Sequence, residues 1–151
     1  MNTKIQKSIL AGIIGTIIMT AVMMIAPMMG MPKMSPPNML ASMMGIPIAI
    51  GWIMHFTIGI TFALAYSYLC ILKHKIKNVW LKGVAFGIVA FVFAQIMMGI
   101  MGMMMPMPKI DGPILLTAVG SLIGHIIFGM AVAKTVGNTY CAMNSCKTKT
   151  A

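Results

Sequence analysis

The chain has 151 residues, of which 60% are hydrophobic and 8% charged, with a mean hydropathy of +0.96 and a formal net charge of +10. Soluble domains carry roughly a quarter charged residues, so this composition excludes a water-soluble fold. A single carboxylate, Asp111, likewise excludes paired-carboxylate acid–base chemistry.

A helix of about 20 mainly apolar residues crosses the hydrocarbon core of a bilayer, and four stretches qualify. The first runs over about 8–26, between Lys7 and Pro27. Lys4 and Lys7 ahead of it resemble the start of a signal peptide, but the apolar run is longer than a signal sequence needs and reads as a retained helix. The connection over 27–47 holds Pro27, Pro32, Pro36, Pro37 and Pro47, too many for one continuous helix. Within it Met39, Leu40, Met43 and Met44 follow amphipathic spacing, which predicts a short interfacial helix over 39–45 with Asn38 as its cap. The second span covers about 48–72, the third 83–105 and the fourth 113–135. Long runs without alternation favour helices over barrel strands, because backbone amides in lipid must be bonded within the segment. The expectation is an all-α membrane protein: a single four-helix domain over 1–140 with a flexible cytoplasmic tail over 141–151.

The basic charge is placed for a membrane, not for nucleic acid. Lys4, Lys7, Lys73, Lys75, Lys77, Lys82, Lys134, Lys147 and Lys149 fall at one end of the spans, and only Lys33 and Lys109 at the other. This positive-inside bias predicts cytoplasmic N- and C-termini. The chain contains no arginine to grip phosphate in a bidentate fork. Cys70, Cys141 and Cys146 read as free thiols on the reducing side, the C-x4-C spacing of the last two being a weak metal signal.

The chain has the pattern of a duplicated helical hairpin. Met31-Pro32-Lys33-Met34 in the first outer connection is echoed by Met107-Pro108-Lys109-Ile110 in the second. His55-Phe56-Thr57-Ile58-Gly59 in the second span is echoed by His125-Ile126-Ile127-Phe128-Gly129 in the fourth. Two spans per repeat preserve orientation, so the halves would be related by a pseudo-two-fold axis along the membrane normal. Small residues recur at four-residue steps in Gly12, Thr16, Thr20; in Gly51, His55, Gly59; in Gly83, Gly87; and in Gly120, Gly124. Such stripes let helix backbones approach closely in lipid.

Several of these segments together are similar to a bacterial family of small four-span inner-membrane proteins of unknown function. They are Gly12-x2-Gly15-Thr16-x2-Met19-Thr20, Ala26 to Met34, Gly51-Trp52-x2-His55-Phe56-x2-Gly59, Ala94-Gln95, and Ser121-Leu122-x-Gly124-His125-x3-Gly129. The resemblance extends to about Tyr140; Met97-Met98-Gly99-Ile100-Met101 departs from it by lacking a proline. It implies topology and location, and carries no activity.

Two residue types could carry chemistry. Sixteen of the 21 methionines fall in two regions, Met23–Met44 and Met97–Met107, both at the lysine-poor end. Thioethers are soft ligands that select Cu(I), and Met97, Met101 and Met105 form an i, i+4 ladder on one helix face. Methionine is also a flexible apolar filler in a chain with only nine leucines, which needs no metal. His55 and His125 are ionisable groups within spans, hence candidate site residues, although a neutral imidazole can equally serve structure by bonding a Thr hydroxyl or a carbonyl on a neighbouring helix. Pseudo-symmetry would bring them together near the axis, but counted from Pro47 and Pro113 they lie 8 and 12 residues in, a depth mismatch that weakens a shared site unless the fourth helix starts higher. Gln95, near mid-span, is expected to face the interior and bond His125 or a carbonyl. The leading reading is a non-enzymatic protein that needs no cofactor and acts through helix packing with itself, as a homo-oligomer, or with a larger membrane complex. The alternative is Cu(I) binding or passage through Met28, Met29, Met31, Met34, Met97, Met101 and Met105, with His55 and His125 deeper.

Overall fold

The computed structural model describes residues 3–33, 35–68, 76, 78–105 and 112–137. Among them the chain is helical and contains no strand. The elements are α1 (Thr3–Ile25), a 3-10 turn (Ala26–Met29), α2 (Pro36–Met44), α3 (Ile48–Tyr68), α4 (Val79–Met104) and α5 (Ile114–Val136). Four of them, counting α1 with its 3-10 extension, are long and apolar enough to cross a membrane. Hydroxyls that would otherwise face lipid bond back to their own helix. Thr57, Thr61 and Thr135 each donate to the carbonyl four residues earlier at 2.8 Å.

Helix ends follow local chemistry. Pro27 tightens the last turn of α1, and Gly30, at φ 82°, closes it through its N–H to the Pro27 carbonyl. Asn78 caps α4, its side-chain oxygen accepting from the Trp80 N–H at 2.9 Å. The predicted interfacial helix exists, but it begins three residues earlier than its spacing suggested. Ser35 is its N-cap, and Pro36 and Pro37 sit in the first turn, where a missing N–H costs nothing. Asn38 is therefore inside α2, not its cap. Nor does α2 lie free on the surface: Pro37, Ala41 and Met43 are buried, and Gly51 of α3 meets the Pro37 carbonyl and Ala41 so closely that a Cβ would not fit.

The long helices associate as α3–α1–α5–α4, with α1 against α5 at the centre of the row. The two hairpins, α1–α3 and α4–α5, close in the same way. A Cβ on Gly12 would meet Ile60 Cα at 2.6 Å and the Gly59 carbonyl at 3.0 Å; one on Gly83 would meet Met130 Cα at 2.6 Å and the Gly129 carbonyl at 3.0 Å. Between hairpins the match fails. At the α1–α5 seam, Gly15 lets Phe128 and Val132 come close. At the α3–α4 seam the position matching Gly15 holds Phe86, and that matching Val132 holds Phe62. These rings stand 6.5 Å apart in edge contact and wedge the backbones apart.

At the lysine-rich end the interior is closed. Phe86 packs on Tyr66 at 4.8 Å and on Phe128 at 6.5 Å, and Phe62 meets Phe93 at 5.5 Å. Ser8 donates to Ser67 Oγ at 2.6 Å, whose own proton goes to the Ala63 carbonyl at 3.0 Å. Lys4 lies 4.4 Å from the Tyr68 ring and Lys134 5.4 Å from the Trp80 ring, a pattern of aromatic and basic anchors suited to a bilayer interface.

Candidate functional site

The wedged α3–α4 seam leaves a cavity of about 430 Å³ on the methionine-rich side of the aromatic cluster. All five helices contribute. Thr16, Met19 and Met23 come from α1, and Pro36, Met39 and Leu40 of α2 cover the end. His55 and Ile58 on α3 face Phe93, Gln95, Met97, Met98 and Met101 on α4, while α5 supplies Thr117, Ser121 and His125. None of the described lining residues carries a fixed charge.

The two histidines thus line one cavity. The depth count from Pro47 and Pro113 allowed a shared site only if the fourth helix starts higher, and helix packing, not the prolines, sets that height. Each hairpin is registered by its glycine contacts, Gly12 on Ile60 and Gly83 on Met130, and the two histidines stand at matching positions of those hairpins.

Their hydrogen bonds define which ring nitrogen is available. Thr20 gives its only hydroxyl proton to the Thr16 carbonyl at 2.7 Å. Its oxygen must then accept from His55 Nε2–H, 3.2 Å away, which leaves a lone pair on His55 Nδ1. His125 Nδ1 lies 2.7 Å from the Ser121 carbonyl, which can only accept, so the lone pair of His125 is on Nε2. These tautomers follow from the hydrogen-bond network. At the position matching Thr20, α4 carries Phe91, whose ring stands edge-on to His125 at 5.8 Å. The same two places thus hold one imidazole by a hydroxyl and the other by an aromatic wall.

Thr16 is 1% exposed, and its Oγ1 has no hydrogen-bond partner among the described residues. The oxygen is packed against Gly59 of α3, where a Cβ would not fit. Gln95 is exposed and lines the cavity, with no bond to His125 among the described residues.

Of the methionines singled out by sequence, Met97 and Met101 line this cavity with the two histidines. Met105, the third rung of the ladder, does not, and Met28 and Met29 are 87% and 79% exposed. Met31 lies outside the lining, and Met34 lies outside the described residues. Sequence reasoning missed Met19, Met23, Met39 and Met98, which do line it, because uniformly apolar helices carry no signal of which face turns inward. The Thr20–His55 bond is of the kind expected from sequence, an imidazole on a Thr hydroxyl of a neighbouring helix, although the partner was not legible there.

Chemically the wall offers thioethers, two imidazole lone pairs, an amide and hydroxyls. No group of three or more His, Cys, Asp or Glu side chains gathers among the described residues.

Four membrane-length apolar helices define a multi-pass helical membrane protein. Within that class, the chain belongs to a family of unknown function (DUF6789), whose model matches residues 2–144. No curated protein and no solved structure matches it.

Proposed function

We propose that this chain is a non-enzymatic protein of the bacterial inner membrane, with cytoplasmic termini, that holds Cu(I) in the cavity at the open seam. The observation that carries this reading is the convergence of His55, His125, Met97 and Met101 on one cavity, each imidazole with one nitrogen committed and the other bearing a lone pair. Thioether and imidazole donors suit Cu(I), whereas hard divalent ions prefer carboxylates and carbonyls. The uncharged wall favours a monovalent ion as well, since the cost of burying charge rises with its square. Met19, Met23, Met39 and Met98 line the same space. The matched glycine contacts support a duplicated hairpin, in which one seam closed on Gly15 while the other stayed wedged by Phe86.

The test is anaerobic Cu(I) loading of purified protein against a competing chelator. The expected result is about one Cu(I) retained per chain, lost in the double variant Met97→Leu/Met101→Leu, which keeps volume and apolarity but removes sulfur. Retention unchanged by that variant and by His125→Phe contradicts the reading.

A second reading, helix packing with a second copy or a larger membrane complex, is favoured by α4. Its outward face carries Val92, Ile96 and Gly99, all exposed, and a small residue on a lipid-facing stripe favours a partner span. In native membranes Gly99→Ile would then shift the protein to a smaller assembly on native electrophoresis; an unchanged mobility argues against it.

A further inference from the structure

The lysine-rich end of the bundle carries a charge that the chain itself does not balance. Lys4, Lys7, Lys82 and Lys134 lie there, and the segment joining α3 to α4 adds Lys73, Lys75 and Lys77. The whole sequence holds one acidic side chain, Asp111, which falls between the end of α4 and the start of α5, at the opposite end of those helices. Counter-charge at the lysine-rich end therefore comes from outside the chain. We infer that anionic phospholipids supply it, with one headgroup held where Lys134 and Trp80 meet on the α4–α5 hairpin. This inference does not depend on the copper reading.

Position selects a lipid over a soluble anion. Trp80 is the second residue of α4 and Lys134 falls in the last turn of α5, so both stand at the ends of membrane-length helices. The Lys134 ammonium lies 5.4 Å from the Trp80 ring centre, and that residue stays 56% exposed. Indole rings settle at headgroup level, and a lysine reaches the same level along its apolar stem. A phosphate seated there would accept from the ammonium, with the indole N–H as a second donor beside it. Leu81 and Ile88, seven residues apart on α4 and both exposed, continue one apolar face toward the bilayer centre for the acyl chains. The other hairpin repeats the pairing at the far edge of the row, where Lys4 lies 4.4 Å from the Tyr68 ring.

The residue types set what is read. Lysine is a point charge without the planar fork by which arginine matches the shape of a phosphate, and the chain has no arginine. The site thus reads negative charge and not headgroup identity. Phosphatidylglycerol and phosphatidylserine should serve equally. Phosphatidylcholine should serve poorly, because its own cation neutralises its phosphate.

The chain's two tryptophans, Trp52 and Trp80, provide the test. In the full chain, Trp52→Phe keeps an aromatic ring and leaves Trp80 as the single reporter. It is placed in vesicles of phosphatidylcholine and phosphatidylglycerol in fixed proportion, with bromines high on the acyl chains of one lipid or the other. The expected result is stronger quenching of Trp80 by brominated phosphatidylglycerol, and equally by phosphatidylserine in its place. Lys134→Gln should reduce the preference about fivefold, the usual effect of one lysine at an anionic surface, whereas Lys134→Arg should retain it. Native mass spectrometry of the unsubstituted protein should likewise retain phosphatidylglycerol over phosphatidylcholine, a readout that no tryptophan variant can disturb. Equal quenching by the two lipids, a preference untouched by Lys134→Gln, or selection of phosphatidylglycerol over phosphatidylserine overturns the proposal. So does loss of the preference on adding millimolar inorganic phosphate at constant ionic strength, which would mark a site for the free anion.

Discussion

Two glycines on the same helix, Gly87 and Gly99, test how the bundle is held at the scale of single residues. A Cβ on Gly87 would lie 2.5 Å from the His125 carbonyl and 2.6 Å from Ile126 Cα, backbone atoms that cannot swing aside. Gly87→Ala should therefore destabilise by about 1–3 kcal/mol, the usual cost of overpacking. A Cβ on Gly99 meets nothing within 4 Å, so Gly99→Ala should leave stability unchanged or raise it by up to about 1 kcal/mol through helix propensity. Thermal unfolding in one detergent distinguishes the two, and equal effects would mean that the α4–α5 contact is misplaced. Thr20→Val probes the site itself. It removes the acceptor for His55 Nε2–H inside the bundle, a loss of about 0.6–2 kcal/mol for an interhelical hydrogen bond in a membrane protein. The sequence pointed to both histidines because a ring nitrogen within an apolar span is conspicuous. Thr16 and Thr20 were less visible, since in the chain they are merely small residues at helical spacing. Only the fold shows that one hydroxyl is shared and the other orphaned.

Among the elements, α2 has the clearest dependence on a neighbour. It covers the end of the cavity with Pro36, Met39 and Leu40, and rests on α3 through the contact of Gly51 with the Pro37 carbonyl. Gly51→Ala puts a methyl group into that contact and should lift α2. A cysteine introduced as Met39→Cys would then react faster with a membrane-impermeant maleimide than it does in the Gly51 background. An unchanged rate would show that α2 is held elsewhere. The long helices were legible in sequence because a span is a contiguous property: length and apolarity are written in consecutive residues. The seam was not, because it depends on residues far apart in the chain. Gly15 stands at one seam, in close contact with Phe128 and Val132, and Phe86 at the matching position of the other, against Phe62. Helix rotation was hidden for a related reason: with apolar residues on every face, α3 and α4 give no stripe from which to tell Met97 and Met98, which line the cavity, from Met103, which is 88% exposed.

For the whole molecule, lysine placement and cavity position fix a direction. Lys4, Lys7, Lys82 and Lys134 lie at one end of the bundle, whereas the methionine-lined cavity lies toward the other. If the lysine-rich end is cytoplasmic, the cavity belongs to the outer half of the bilayer, on the side from which an extracytoplasmic ion would arrive. A phosphatase fused after Ala151 should stay inactive and a fluorescent reporter there should fold; the opposite pair of results would reverse the threading. The direct test of the central claim is X-ray absorption at the copper edge on the anaerobically loaded protein. Mixed sulfur and imidazole-nitrogen scattering is predicted, with the nitrogen shell lost in the His55→Phe/His125→Phe double variant. A sulfur-only shell, or one untouched by that variant, would place the copper outside the cavity where the two histidines meet.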